Sequence, residues 1–164
     1  MKKLLILLVS VSLLSAANAQ LTTKTKCPDF VVDILDGKVS GTIKASSPDY
    51  DIKKILPCFT GSQSDGSTSK CGGGVFYKDK DIYFYTDRDY IQIGEKFKGK
   101  LTIPLLGAKR NSFFKTLGNP KMTDDGWDAW QMSYGTLVLH YNKAGKVNLI
   151  QISTNGMNTL SLCE

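Results

Sequence analysis

WDAWQMSYGTLVLHYNKAGKVNLIQI, residues 127–152, is built of short runs rich in β-branched and aromatic residues, separated by polar turns. Ala129 to Tyr134, a turn at Gly135, Thr136 to Tyr141, an Asn142-Lys143-Ala144-Gly145 turn and Val147 to Ile152 read as three antiparallel strands. Side chains alternate along a strand, so Asp128, Trp130, Met132 and Tyr134 face one way and Trp127, Ala129, Gln131 and Ser133 the other. The two tryptophans of the chain therefore point to opposite sides. Trp130 is expected under a helix, in the core, and Trp127, in small and polar company, is expected as an exposed anchor.

Upstream, the same pattern occurs once more. Val75-Phe76-Tyr77, Ile82 to Tyr85 and Tyr90 to Ile93 are separated by Asp79-Lys80-Asp81 and Asp87-Arg88-Asp89. Each meander follows a helical stripe. In the first, Ser47 is placed to cap, Pro48 fits the first helical position, Ile52, Ile55 and Leu56 share a face, and Pro57 stops the helix. In the second, Phe113, Phe114 and Leu117 form the stripe and Gly118-Asn119-Pro120 ends it. Gly37-Lys38-Val39-Ser40-Gly41-Thr42-Ile43 and Gly99-Lys100-Leu101-Thr102-Ile103 precede the two helices at nearly equal offsets, which reads as a duplication of about 60 residues. The expected fold is α+β: two tandem helix-plus-meander repeats, about 37–93 and 99–154, in one domain over 20–164. Helices this short must dock on a sheet, so they are expected on one face, leaving the other partly open.

The ends of the chain bear on where it works. Lys2 and Lys3, the apolar run Leu4 to Leu14 and Ala17-Asn18-Ala19 read as a signal peptide over 1–19, with cleavage near Ala19/Gln20, and the run is too short to span a bilayer. A soluble protein of the bacterial periplasm or the extracellular space is expected, without stable membrane insertion. Cleavage would remove two of the 21 basic residues and none of the 15 acidic ones, leaving a net charge of +4. The lysines are scattered among acids, which argues for a solvated surface and against a nucleic-acid partner.

Cys27, Cys58, Cys71 and Cys163 are an even set, as disulfides in an oxidising compartment require. Three pairings are possible. The Ser- and Gly-rich loop between Cys58 and Cys71, with Cys27 and Cys163 at the two ends of the mature chain, favours a local bridge plus a terminal one. Histidine is nearly absent, His140 being the only one, so no metal site is expected.

The segment from Arg110 through Phe114-Lys115-Thr116-Leu117-Gly118-Asn119-Pro120 to Trp130, then Tyr134-Gly135-Thr136-Leu137 and Gly145-Lys146-Val147, resembles the repeat of the beta-lactamase-inhibitor-protein-like fold, itself similar to the small SmpA/OmlA envelope domains. The resemblance spans roughly Gly37 to Thr154. It implies two tandem units whose concave sheet clasps an enzyme, with a disulfide after each helix. Cys58 and Cys71 match that feature in the first unit, and the second has no counterpart.

Catalytic motifs are sparse. Gly94-Glu95-Lys96-Phe97-Lys98-Gly99-Lys100 is spaced like a phosphate-binding loop, but Leu101 stands where Ser or Thr should hold magnesium. Cys71-Gly72-Gly73-Gly74 reads as a disulfide-anchored turn in preference to an anion nest. Asp124, Asp125, Asp128, Asp87 and Asp89 lack the order of a calcium loop and read as turn acids. No catalytic residue, cofactor or metal ligand is assigned. Interfaces favour Tyr, Trp and Arg anchors, so the candidate partner-binding residues are Trp127, Asp128, Tyr83, Tyr85, Arg88 and His140. The function expected is that of a non-enzymatic inhibitor or immunity protein that occludes an enzyme or toxin. The alternative is a structural envelope protein scaffolding an outer-membrane or cell-wall assembly, and pairing of two copies through a strand edge stays open.

Overall fold

A computed structural model describes residues 26–64 and 70–163. The expected leader over 1–19 lies outside the described residues. The described residues are α+β and mostly sheet, with an eight-stranded antiparallel sheet and two short α-helices.

The large sheet holds β3 (Gly61–Gln63), β4 (Gly74–Tyr77), β5 (Ile82–Tyr85), β6 (Tyr90–Gly94), β8 (Met122–Thr123), β9 (Trp127–Met132), β10 (Gly135–Tyr141) and β11 (Val147–Ser153), in the order β3-β4-β5-β6-β11-β10-β9-β8. Two meanders thus meet at the antiparallel pair β6 and β11, with Ile91 opposite Ile152 and Ile93 opposite Ile150. The strands expected from alternation all form. The β9–β10 turn falls at Ser133-Tyr134, with Met132 opposite Gly135. Gly135 is already in the strand, at φ 141°, where a Cβ would meet the Ser153 carbonyl oxygen at 2.3 Å.

Registers carry two apolar rows across the large sheet, from β4 to β9 and from β4 to β10. Val75, Phe84, Ile91, Ile152, Leu137 and Trp130 lie side by side, as do Tyr77, Ile82, Ile93, Ile150 and Leu139. All are buried. This face is covered by α1 (Asp49–Ile55), α2 (Phe114–Leu117) and a small sheet of β2 (Lys38–Val39), β1 (Val31–Asp33) and β7 (Lys100–Leu101). Ile52 and Leu56 are fully buried, and the Tyr77 hydroxyl donates to the Leu56 carbonyl at 2.6 Å. Phe113 and Phe114 meet Trp130 edge-on, and the Trp130 indole N–H donates to the Gly118 carbonyl at 2.9 Å. Trp130 is core, as alternation requires.

Two local expectations are corrected. Ser47 does not cap α1: its hydroxyl accepts from the Lys44 amide, and Pro48 occupies the cap position without a side-chain bond. Cysteine pairing is also different, with Cys27 bonded to Cys58 and Cys71 to Cys163 at Cα separations of 5.4 and 5.3 Å. Gly61 pairs with Phe76 and Gln63 with Gly74. Cys58 and Cys71 therefore lie beyond opposite ends of this hairpin, on the order of 20 Å apart at the rise of a strand, too far for a bridge. Each instead meets the chain terminus that passes its own end of the sheet.

Candidate functional site

The other face of the large sheet carries the residues that the core rows leave over. From β4 to β9 the registers align Phe76, Tyr83 and Gln92, then Gln151, Val138 and Ala129, with Tyr85 and Tyr90 in the next row, and Trp127 opposite His140. Among the described residues no helix covers this face. Its two halves differ.

On the β3–β6 half, Phe76, Tyr83 and Tyr85 are half-exposed. Their ring centroids lie 6.2 Å (Phe76 to Tyr83) and 5.6 Å (Phe76 to Tyr85) apart, and Tyr85 stacks on Tyr90 at 4.6 Å. Burial raises the hydroxyls of Tyr83 and Tyr85 above their ordinary values, with the Asp81 charge adding to the effect at Tyr83. Ser62 and Gln63 of the edge strand β3, and Lys78 just past β4, border the aromatic tray.

The β9–β11 half is crossed by the C-terminal segment, residues 154–163. Arg88 holds the segment by donating to the Ser161 hydroxyl at 2.9 Å and to the Lys70 carbonyl at 2.8 Å. The Cys163 amide donates to the Tyr90 hydroxyl, Thr136 donates to the Asn155 carbonyl, and the Cys71–Cys163 bond closes the strap. Gly73 N–H donates to Asp87, which fixes the turn carrying Cys71. Beneath the strap Tyr90 is fully buried, and burial pushes its hydroxyl up to about 12.

Between strap and sheet lies a cleft of about 230 Å³. Trp127, Ala129, Thr136, Val138 and His140 form the sheet wall, Met157, Leu160 and Leu162 the strap wall, and Met122 the rim. His140 Nε2 lies 2.7 Å from Gln151 Oε1, and Gln151 Nε2 donates to Gln92 Oε1 at 3.3 Å. This polar row joins the cleft to the tyrosine tray.

The structure thus brings Tyr83, Tyr85, Trp127 and His140 onto one face, and places two of the expected residues elsewhere. Arg88 is spent on the strap. Asp128 is on the core side and fully buried: Arg110 grips it through Nε at 2.9 Å and through Nη2, and Tyr141 donates to it at 2.8 Å. Arg110 also donates to the Asp124 carbonyl at 2.7 Å and lies 4.9 Å from the Tyr141 ring centre. Asp128 therefore offers no surface to a partner.

No family model, no curated protein and no solved structure matches this chain.

Among the described residues no group of three or more His, Cys, Asp or Glu side chains could hold a metal ion, and no helix is long and apolar enough to cross a membrane. Two disulfides mark a chain that matures in an oxidising, extracellular compartment. Sequence reasoning missed Phe76, Gln92, Gln151 and the strap residues. A signal for the strap was present in Met157, Leu160 and Leu162, apolar residues close to a terminal cysteine.

Proposed function

We propose that this chain is an exported binding protein, an inhibitor or immunity protein that occludes a partner enzyme or toxin in the bacterial periplasm. The observation that carries this reading is the helix-free face of the sheet, where the half-exposed Phe76, Tyr83 and Tyr85 run by way of Gln92 and Gln151 to His140 and Trp127. Aromatic side chains held on a rigid sheet give large contact area at low entropic cost, the chemistry of interface hot spots. Two disulfides keep that surface set before the partner arrives. The order of the strands, two four-stranded meanders meeting at β6 and β11, supports a duplicated helix-plus-meander ancestry of the inhibitor type, with the leader over 1–19 directing export.

The test is capture followed by activity. The oxidised chain is immobilised and exposed to periplasmic extract of its own organism and of competitors, and each retained protein is purified and assayed. A hydrolase or toxin bound one-to-one, and silenced at one equivalent, supports the reading. Envelope-assembly proteins retained without loss of activity would replace it with the scaffold reading.

A further inference from the structure

The cleft under the C-terminal strap has a size and a polarity that define what it can hold. Apolar cavities of about 150 Å³ accept benzene, and sites for drug-sized ligands start near 300 Å³. The volume here, about 230 Å³, falls between them and suits one ring with one substituent. The lining is apolar apart from Thr136 and His140, and the Thr136 hydroxyl is engaged with the Asn155 carbonyl.

His140 supplies the remaining acceptor, beside the indole N–H donor of Trp127. Gln151 directs its amide nitrogen to Gln92 and its amide oxygen to His140 Nε2. An amide oxygen only accepts, so Nε2 is the N–H that faces Gln151, and Nδ1 is the ring nitrogen that can accept. The side chain is half-buried at the cleft wall, beside the half-exposed Trp127. An occupant that matches both features is an aromatic ring bearing a single hydrogen-bond donor.

We infer that the cleft between the sheet and the strap is a socket for one phenol ring, supplied as a tyrosine side chain by the protein partner, with the hydroxyl donating to His140 Nδ1 and the ring lying between Trp127 and the strap residues Leu160 and Leu162. The inference rests on the binding-protein reading for the source of the ring, and only for that. The strap is a structural part of the socket, because Met157, Leu160 and Leu162 form one of its walls and Cys71–Cys163 holds them there.

The socket is testable without the partner. The ¹⁵N-labelled, disulfide-bonded protein is titrated with p-cresol, the tyrosine side-chain analogue, and with toluene, which has the ring without the donor, following the Trp127 indole N–H by NMR with Trp130 as the internal control. p-Cresol is expected to saturate with a Kd of about 1 mM, the order for so few heavy atoms. It is expected to bind about two- to tenfold more tightly than toluene, the size of one net hydrogen bond. His140→Phe should abolish that preference while toluene still binds, and Leu160→Trp, which fills the space from the strap side, should block both. The His140 ring nitrogens should show the Nε2–H tautomer. Absence of saturable binding at Trp127, equal affinity for the two ligands, or a preference that survives His140→Phe overturns the inference, and none of these outcomes touches partner capture. Binding of free p-cresol that N-acetyl-tyrosinamide fails to compete would assign the socket to a small phenol and overturn a tyrosine side chain as its source.

Discussion

Arg110→Met removes the cationic partner of a carboxylate with no exposed surface. In the native protein Asp128 accepts from Arg110 Nε at 2.9 Å, from Arg110 Nη2 and from the Tyr141 hydroxyl at 2.8 Å. Breaking a buried pair from one side costs about 3–5 kcal/mol, because the remaining charge is left in low dielectric. The Arg110 side chain keeps 32% of its surface exposed, so water reaches the gap and the lower end applies, about 3 kcal/mol. With a urea m-value of about 2 kcal/mol per M, the unfolding midpoint falls by about 1.5 M. Removing both charges, as in Arg110→Met with Asp128→Leu, should recover more than half of the loss, since no unpaired charge then remains. The assay is urea unfolding of the four proteins of this double-mutant cycle, followed by far-UV circular dichroism. A loss below about 1 kcal/mol for Arg110→Met, or additive losses in the double variant, would refute the assignment of Asp128 as a buried, Arg110-dependent charge.

Other consequences concern the bridges, the strands and pH. Peptide mapping without reduction should recover Cys27 linked to Cys58 and Cys71 linked to Cys163, and loss of either bridge should cost about 4 kcal/mol on the chain-entropy estimate for loops of this length. Recovery of a Cys58–Cys71 peptide would contradict the fold. Gly135→Ala should cost more than about 2 kcal/mol in thermal or urea unfolding, because the new Cβ would meet the Ser153 carbonyl in a backbone conformation that disfavours side chains. Burial raises the hydroxyl of Tyr90 to about 12, so the folded chain holds this proton more tightly than the unfolded chain does. Its stabilising contribution is complete below pH 10 and is lost between pH 10 and 12, amounting to about 2 kcal/mol. Tyr77, Tyr134 and Tyr141 are raised in the same direction, first by burial. Unfolding midpoints measured from pH 9 to 12 should therefore fall steadily, and a flat profile would contradict the burial of these tyrosines.

The parts of this molecule legible in its sequence are those written in local alternation. Ile82-Tyr83-Phe84-Tyr85 and Leu137-Val138-Leu139-His140-Tyr141 declare strands, and period two alone separates Trp130 from Trp127, because register is an arithmetic property of a pleated chain. What alternation cannot supply is the position of a residue along its strand relative to distant segments. Cys58 and Cys71 are near in sequence and lie at opposite ends of a hairpin. Asp128 shares a face with Trp130, yet its role depends on Arg110, 18 residues away with no local pattern linking them. The parallel pairing of β1 with β7 joins Val31 to Lys100, a contact that short-range signals do not encode. The strap's course was hidden for a similar reason, although its apolar residues are visible in the sequence: residues 154–163 have no regular structure, and their place on the sheet is set by Arg88, Tyr90 and Cys71.

The central claim is that the helix-free face, and no other surface, meets the partner. Once the partner is in hand, its Kd should be measured by calorimetry for the native chain, for Tyr83→Ala with Trp127→Ala, and for Tyr50→Ala, which alters a residue 72% exposed on α1 across the sheet. The account predicts at least a tenfold loss of affinity for the first variant and an unchanged Kd for Tyr50→Ala. An unchanged Kd for the open-face variant together with a loss for Tyr50→Ala would place the partner on the helical side and contradict the account.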